Sequence, residues 1–233
     1  MMKLAIALCP AILLAQSAAS FDVATVKPSD ALKNAGFASG WSIVESNDGL
    51  KITGNLQTFI KYAYSIDDVQ ISGGPPWLDR DFYEINGKAA RQITVEERKQ
   101  MLQSLLSDRF QLAVHRETRE LPLYSMVLAK GGAKLQRGDA ATRSSSSGAT
   151  FLRGTMDSGA WAAALTSTLH RTVIDNTALQ GIWKFDLTWA ADDNTAGPSL
   201  FTALQEQPGL KMESTKGPVQ VLVIDHAEKP SNN

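Results

Sequence analysis

The pattern that decides the fold lies in "SLFTALQEQPGLKMESTKGPVQVLVIDHAEKP", which runs from Ser199 to Pro230. Ser199 is a suitable N-cap, so the stretch predicts a helix over "SLFTALQEQ". Two β-rich segments follow on either side of "KGP", and we expect them to form a hairpin. Its closing segment, "VQVLVID", carries branched residues at most positions, which is typical of a strand buried on both faces.

The same pattern occurs earlier in the chain. "LQSLLSDRFQLAV" aligns with "LFTALQEQPGLKM" at one constant offset, which places Leu106 over Leu204. The residues that follow, "QLAVHRETRELPLYSMVLAKGG", predict two strands around a charged turn. We therefore predict an internal duplication. The alternative is two helix-hairpin units that share only their pattern of apolar and polar residues.

The segments before and between these two stretches fit the same order. "FDVATVKPS" predicts a leading strand, and "WSIVESNDGLKITG" predicts a hairpin with an Asn-Asp-Gly turn. "NLQTFIKYAYS" predicts a helix capped by Asn55, "ISGGPPWLDRD" a loop, and "FYEINGKA" a strand. Thr94 and Glu97 form a capping box at the start of the clearest helix. After a Gly- and Ser-rich segment, "TFLRGTM", "DSGAWAAALTSTLHR", "TVID" and "IWKFDLTWA" predict strand, helix, strand and strand.

These elements predict an α+β protein. It would consist of two related strand-helix-strand-helix-hairpin halves, with mostly antiparallel sheets and helices packed on one face. We place the first half at residues 21–130 and the second at residues 150–233. The segment between them, residues 131–149, is polar and aperiodic, which predicts a linker or long loop.

Residues 1–20, "MMKLAIALCPAILLAQSAAS", have the pattern of a secretory signal peptide. Lys3 is followed by an apolar run and by small residues that suit cleavage near Ser20. We expect a periplasmic or extracellular mature protein. Cys9 raises the alternative of a lipoprotein signal, but its flanking apolar residues favour a cysteine that is removed with the leader. The chain has no other cysteine, so we expect no disulfide bond and no thiolate metal site in the mature protein.

The composition is that of an ordinary globular protein, with 43% hydrophobic residues, 20% charged residues and a net charge of −1. This charge gives no electrostatic argument for binding nucleic acid or an anionic membrane. After the leader, no apolar segment approaches the length of a membrane span.

Several segments together resemble a soil-associated family of secreted proteins from acidobacteria, a domain of unknown function. They are "FDVATVKPS", "ISGGPPWLDRDFYEI", "MLQSLLSDRFQLAVHRETRELPLYSMVLAKGG", "VIDNTALQGIWKFDLTW" and the stretch from Ser199 to Pro230. The resemblance covers nearly the whole chain after the leader. It implies no activity and no site residues, because the family has none assigned. Some members carry this domain after a membrane-bound sensor-type metallopeptidase, and this chain has no H-E-x-x-H motif of such an enzyme.

A second resemblance concerns the fold alone. The residues from "VIDNTALQGIWKFDLTWA" to "VQVLVIDHA" look like the small N-terminal periplasmic modules of secretins and TonB-dependent receptors. Those modules are docking domains without catalysis, so this resemblance implies an interaction role.

The histidines outside the leader are His115, His170 and His226. No two of them have the spacing that places metal ligands on one helix face, so their spacing argues against a metal site. His115 lies in a charged strand, where we expect it to face solvent. His170 lies at a predicted helix C-terminus, where a cation suits the helix dipole.

Asp225 and His226 suggest two members of a catalytic triad. Adjacent residues on a strand point to opposite faces, however, and the chain has no G-x-S-x-G motif. We therefore favour a strand end that becomes polar as it reaches solvent.

The remaining polar and aromatic candidates also have simpler structural interpretations. Asp79, Asp81 and Glu84 lack the spacing of a calcium loop, and Trp77 is expected to anchor the loop that carries them. The arginines near "HRETRE" predict surface ion pairs, with an anion-binding patch as the alternative. The tryptophans on "IWKFDLTWA" predict a core face, with a sugar-binding platform as the alternative. The arginines are Arg109, Arg116 and Arg119, and the tryptophans of the chain are Trp41, Trp77, Trp161, Trp183 and Trp189.

The sequence thus assigns no catalytic, cofactor-binding or metal-ligating residue. It favours a secreted or periplasmic, non-catalytic interaction module with an extracytoplasmic protein or cell-envelope ligand as its partner. The alternative is an extracytoplasmic hydrolase or carbohydrate-active protein. Such a protein would hold His115, His226 or Asp79 in a cleft between the halves, so the geometry of these residues discriminates between the two hypotheses.

Overall fold

A computed structural model describes residues 19–29, 41–192 and 194–231. The predicted signal peptide lies almost entirely outside these residues. The strands are β1 (Val23–Pro28), β2 (Ser42–Ser46), β3 (Gly49–Asn55), β4 (Ile71–Gly73), β5 (Phe82–Lys88), β6 (Ala113–Leu128), β7 (Gln136–Arg137), β8 (Ser144–Gly148), β9 (Phe151–Met156), β10 (Val173–Asp175), β11 (Trp183–Thr188) and β12 (Leu210–His226). The helices are α1 (Leu56–Tyr64), α2 (Val95–Arg109), α3 (Ser158–Leu169) and α4 (Leu200–Glu206).

The described strands form three four-stranded sheets, and most of their pairings are antiparallel. The first sheet has the order β1-β5-β3-β2, the third has the order β7-β11-β9-β8, and the central sheet has the order β10-β6-β12-β4. The predicted α+β class is therefore confirmed. The first and third sheets are built alike. In each, the first strand of the half lies at one edge, followed by the fifth, the third and the second strand, and the second and third strands form a hairpin.

The two predicted hairpins are wrong, because β6 and β12 are each one continuous strand. They pair with each other antiparallel, from Leu128 opposite Leu210 to Ala113 opposite His226. The charged segment "HRETRE" therefore lies in the middle of a long strand. A polar turn and the solvent-exposed part of a long strand have similar sequences, and only the partner strand from the other half distinguishes them.

The two prolines in these strands fit this arrangement. Pro122 lies opposite Lys216, and Pro218 lies opposite Glu120. The short flanking strands pair elsewhere, β10 beside residues 124–126 of β6 and β4 beside residues 222–224 of β12. Each proline thus lies where its strand has a neighbour on one side among the described residues, which is the kind of position where strands tolerate proline.

The register of the long ladder relates the two halves by a pseudo-two-fold axis. Glu120 and Pro218 face each other, and they differ by the same sequence offset as Leu106 and Leu204. The short strands obey the same relation, since β10 of the second half pairs with β6 and β4 of the first half pairs with β12. Each half thus contributes a short parallel strand to the long strand of the other. That the two halves arose by internal duplication of one sequence remains a prediction.

Two further predictions need correction at the level of secondary structure. "ISGGPPWLDRD" is not entirely loop, because it begins with β4, whose parallel pairing with β12 could not be seen locally. The predicted linker at residues 131–149 carries β7 and β8, and β8 pairs with β9 along its length. The third sheet therefore begins inside this segment. The division of the chain into domains at residues 21–130 and 150–233 stays a prediction.

Each half has its own hydrophobic core on the helix side of its sheet. The first core includes Phe59, Leu106 and Phe110, and the second includes Trp161, Leu204 and Phe185. The long strand β12 is buried on both faces near its end, as predicted, because Leu222 contributes to the first core while Val221 packs into a separate small cluster.

The predicted helix starts are confirmed. Asn55 accepts the backbone N–H of Thr58, and Thr94 forms the capping box with Glu97. None of the helices in the described part of the chain is long and apolar enough to cross a membrane.

Candidate functional site

The structure brings His115 and Asp225 together across the central sheet. The Nδ1 atom of His115 lies 2.9 and 2.8 Å from the two carboxylate oxygens of Asp225. A register irregularity between Ile224 and His226 turns Asp225 toward β6, which explains this contact. Asp225 and His226 do not form a pair with each other, as expected, and the Nε2 atom of His226 lies 3.0 Å from Glu228.

This His115–Asp225 pair lies on an open surface. The side chains are 52% and 47% exposed. On the same strand Arg119 binds Glu117 and donates a hydrogen bond to the hydroxyl of Ser72 on β4. The hydrogen bond from Arg119 lowers the pKa of Glu117. Two titratable groups from different segments thus meet, but the surface around them lacks the enclosure that excludes water from an active site.

The other predicted candidates lie apart from one another. His170 is the C-cap of α3, with a left-handed backbone conformation and an exposed side chain. Asp79 is near Arg80, Asp81 binds Lys229, and Glu84 binds Lys51, so these carboxylates do not converge. Among the described residues, no group of three or more His, Cys, Asp or Glu side chains has the arrangement of a metal site.

The tryptophans mainly serve the cores. Trp161 is fully buried and stacks on Phe185, with ring centroids 4.3 Å apart. Trp183 and Trp189 pack against the same core, as predicted for this face of β11, and Trp77 packs against the first core. Trp41 is the exception, because its side chain is largely exposed.

Residues of both halves line one groove, which we call the Asp67 groove. Its volume is about 500 Å³. The first half contributes the end of α1 and the following 3-10 turn, and the second half contributes α3 and β10. The lining residues are Lys61, Ser65, Ile66, Asp67, Gln70, Gly159, Ala162, Ala163, Ala164, Thr166, Ser167, Thr172, Val173 and Asp175.

Local chain geometry explains why polar groups collect at one end of this groove. Ser65 ends α1 in the left-handed conformation, which turns the chain sharply toward the 3-10 turn that Asp67 precedes. The hydroxyl of Ser167 on α3 then donates a hydrogen bond to Oδ2 of Asp67. The ammonium group of Lys61 lies 4.0 Å from Asp68. The hydrogen bond between Ser167 and Asp67 therefore joins the two halves at the groove.

Asp67 is the most unusual ionisable group in the groove. Its Oδ1 atom is buried and has no hydrogen-bond partner among the described residues. Burial raises the pKa of Asp67, and the adjacent Asp68 carboxylate raises it further. The pKa of Asp68 is lowered, first by its hydrogen bond with Asp67. Of the two neighbouring carboxyl groups, Asp68 therefore ionises first as the pH rises.

Sequence reasoning missed this site. The alternative hypothesis placed a cleft between the halves but assigned it His115, His226 or Asp79, and none of these lines the groove. The available signals were the adjacent acids in "SIDDVQ" after a predicted helix, and the run of small residues in "SGAWAAALTS". Neither signal identifies a site alone, because only the pairing of β6 with β12 brings them together.

A family model described as "Protein of unknown function (DUF3738)" matches residues 57–227, which is more than half of the chain. The chain belongs to the DUF3738 family. The match runs from α1 to the end of β12, so it leaves out β1 to β3 of the first half but includes every residue that lines the Asp67 groove. The DUF3738 chain has no significant match among curated proteins or solved structures.

Proposed function

We propose that this DUF3738 protein is an extracytoplasmic, non-catalytic binding module that holds its ligand in the Asp67 groove. The observation that carries the proposal is that both halves build this groove, and that it combines a small apolar wall with a few converging polar groups. Ligand sites in proteins commonly have this composition and lie between structural units. Perturbed ionisable groups such as Asp67 are also enriched at functional sites.

The position of the His115–Asp225 pair supports binding over catalysis. The pair is half exposed and does not line the groove, so the imidazole of His115 and the Asp67 groove are in different places. A general base needs to lie within hydrogen-bond reach of a bound substrate. Within the described residues, the groove itself contains carboxyl, hydroxyl, amide and ammonium groups but no histidine.

A pair of matched substitutions on α3 tests the groove as the ligand site. Ala163 lines the groove, whereas Ala160 is exposed on the same helix and does not line it. Fragments of cationic, neutral and anionic character are titrated while backbone amide NMR signals are recorded. We expect signals of Ala162 and Val173 to shift on binding, and we expect Ala163→Phe to abolish the shifts while Ala160→Phe preserves them. Equal binding by both variants contradicts the groove as the site.

The hydrolase alternative has one specific observation in its favour. Asp225 fixes Nδ1 of His115, which leaves Nε2 to accept a proton. If this surface catalysed hydrolysis, His115→Ala would abolish turnover of activated ester or glycoside substrates, while His226→Ala would retain it. A binding module predicts no turnover above background for the wild-type protein and for both variants.

Export is a separate part of the proposal, and it rests on the pattern of residues 1–20. Intact mass of protein recovered from outside the cytoplasm is expected to lack the leader. Recovery of the full-length chain in the cytoplasm alone contradicts this part.

A further inference from the structure

We propose that the edge strand β8 pairs with β8 of a second copy of this chain, so that the third sheets of two copies join into one continuous sheet. The inference concerns a surface outside the proposed function, because no residue of β8 lines the Asp67 groove. It follows from the composition of β8, from the free backbone groups along its outer side, and from the residues that meet when two such strands are placed side by side.

The outer side of β8 has free backbone groups. β8 is an edge strand of the third sheet, whose order is β7-β11-β9-β8. It pairs with β9 over its whole length, from Ser144 opposite Thr155 to Gly148 opposite Phe151, without a bulge. In an antiparallel pair, alternate residues direct both their N–H and their C=O away from the partner strand. Among the described residues, no other backbone segment hydrogen-bonds to β8, so these groups form a free row.

The other edge strands in the described part of the chain have features that keep a sheet edge from pairing with another chain. Such features are short length, charge, proline and bulges. β4 and β10 have three residues each and β7 has two, while β1 includes Lys27 and Pro28. β2, the strand of the first half that corresponds to β8, carries Glu45, which binds Arg98 and Tyr62. β8 has five residues, "SSSSG", and none of these features.

The side chains of β8 favour an identical strand over a foreign one. All five residues are exposed, and none has a side chain larger than that of serine. A sheet edge that recognises a foreign strand draws its specificity from pockets for alternate side chains, and serine and glycine form no such pocket. An identical strand needs none, because a two-fold axis at Ser146 places each end of β8 opposite the other end of its copy.

Two β8 strands are also electrostatically compatible. With antiparallel pairing about Ser146, serine lies opposite serine or glycine, so no like charges meet directly. On β9, Arg153 lies opposite Ser146 and binds Asp186 at 2.7 Å. The two copies of Arg153 would lie three strand spacings apart, about 14 Å, which exceeds the screening length of about 8 Å at physiological salt. Arg143, which precedes β8, is paired with Asp157.

Such pairing forms a closed dimer. Both copies use the same strand, so the contact is isologous and does not extend to a third copy. The far edge of the third sheet is β7, which covers only two residues of β11. A five-residue strand buries less than the area of about 1,000 Å² that a stable interface needs, so we expect a weak, concentration-dependent dimer.

Charge exchange at Ser146 tests the pairing in the full chain. Sedimentation equilibrium over a concentration series measures the association constant. Ser146→Lys places two ammonium groups at the symmetry axis, and Ser146→Asp places two carboxylates there, so we expect each variant alone to associate about tenfold more weakly than the wild type. An equimolar mixture of the two variants should recover the association, because each lysine then meets an aspartate.

Ser42→Lys is the matched control. Ser42 is an exposed serine on β2, which corresponds to β8 in the first half. This variant should associate as the wild type does. Hydrogen exchange of the β8 amides should become slower with rising concentration in the wild type but not in Ser146→Lys. Thermal unfolding checks that each variant is folded.

Four results would overturn the inference. One is a wild-type chain that stays monomeric at about 1 mM, where even a weak interface associates. Another is a dimer that persists unchanged in both Ser146 variants, because it must use a different surface. The third is a mixture that associates no better than either variant alone. The fourth is protection of the β8 amides by the neutral pentapeptide Thr-Val-Thr-Val-Thr while the chain stays monomeric, which would show that the edge accepts a foreign strand. None of these results alters the test of the Asp67 groove with Ala163→Phe.

Discussion

The first and second halves have the same element order, but they protect their sheet edges differently. In the first half, β1 pairs with β5 from Tyr83 to Lys88. In the second half, β7 pairs with β11 only at Trp183 and Lys184. Further along β11, the side-chain amide of Gln207 binds both the N–H and the C=O of Thr188. One half closes its edge with a strand, and the other closes it with a short strand and a side chain.

The second helices of the two halves also differ, and the longer one lies in the first half. In the first half α2 has 15 residues and packs against α1, whereas α4 has 7 residues. The longer helix carries Arg98, a buried side chain that binds the backbone oxygens of Gly49 and Ser46 and the carboxylate of Glu45. The second half has the stacked pair of Trp161 and Phe185 in its core instead.

The two halves agree in the central sheet and differ in their outer elements. The central sheet uses equivalent positions of both halves, whereas the outer strand and the second helix of each half differ in length. Because the central ladder fixes the relative position of the halves, it also fixes the position of the groove between them.

The largest effects are expected at the equivalent core leucines. Leu106 and Leu204 are both completely buried, each in the core of its own half. Replacing either residue with Ala should lower the free energy of unfolding by about 2–5 kcal/mol, because a buried leucine leaves a cavity. Urea denaturation measures both. A harmless Leu204→Ala would show that the second half is not built around its helix as the first half is.

Arg98→Met should destabilise the first half in a way that has no counterpart in the second. The Arg98 side chain is 5% exposed, and its removal leaves two backbone oxygens without their donor. We expect a loss of about 2–3 kcal/mol, below the largest values for buried pairs because Glu45 is partly solvated. Arg91→Met, which removes an exposed ion pair with Glu97, is the control and should have a much smaller effect. Equal effects of the two substitutions would contradict the structural role of Arg98.

Gln207→Ala should open the edge of the third sheet. The substitution removes two hydrogen bonds to Thr188, and we expect a loss of about 1 kcal/mol in an exposed position. Hydrogen exchange at the Thr188 amide should become faster, while exchange in β5, which β1 covers, should not change. Unchanged protection of Thr188 would mean that the side chain does not close this edge.

The helix caps give the halves different responses to acid. Asn55 caps α1, and Asp157 caps α3, each by accepting a backbone N–H. That hydrogen bond, from Ala160, is the main cause that lowers the pKa of Asp157. A depressed carboxyl pKa gives stability above the ordinary value near 3.9 that is lost as the pH falls through the folded-state pKa.

Below pH 4, we therefore expect α3 to lose part of its capping stability, while α1 keeps its neutral cap. Amide exchange in α3 relative to α1 measures this difference. Asp157→Asn should remove the pH dependence, and its persistence in that variant would assign it to another group.

Much of the local structure could be predicted from the sequence, and the reasons are physical. Asn55, Thr94 and Ser199 start helices because their side chains satisfy backbone N–H groups within three residues. The alternation along β11 also predicted which tryptophans face the core. Such features depend on residues that are close in sequence.

The long-range features could not be predicted in this way. The charged middle of β6 resembles a turn until β12 is placed beside it, and the three residues of β4 have no strand pattern of their own. Asp67 and Ser167 meet only because the central sheet brings the ends of α1 and α3 together. The candidate site is thus a product of the pairing between halves, and sequence analysis concentrated on His115 and His226 instead.

The pairing of β6 with β12 is therefore the central claim, and a disulfide trap tests it most directly. Thr118 and Gln220 face each other, and their side chains are joined by a 2.7 Å hydrogen bond. Directly opposite residues on one face have Cβ atoms about 4.5–5.5 Å apart, which small movements can bring into disulfide range.

In the full chain with Thr118→Cys and Gln220→Cys, and with Cys9 replaced by Ser, mild oxidation should form the disulfide in nearly all folded molecules. It should also preserve the backbone amide NMR signals of Ala162 and Val173 in the groove. If each segment instead folded into its own hairpin, Thr118 would lie in a turn far from Gln220. Thiols that stay reduced in folded protein would contradict the shared central sheet, and with it the groove that the two halves build.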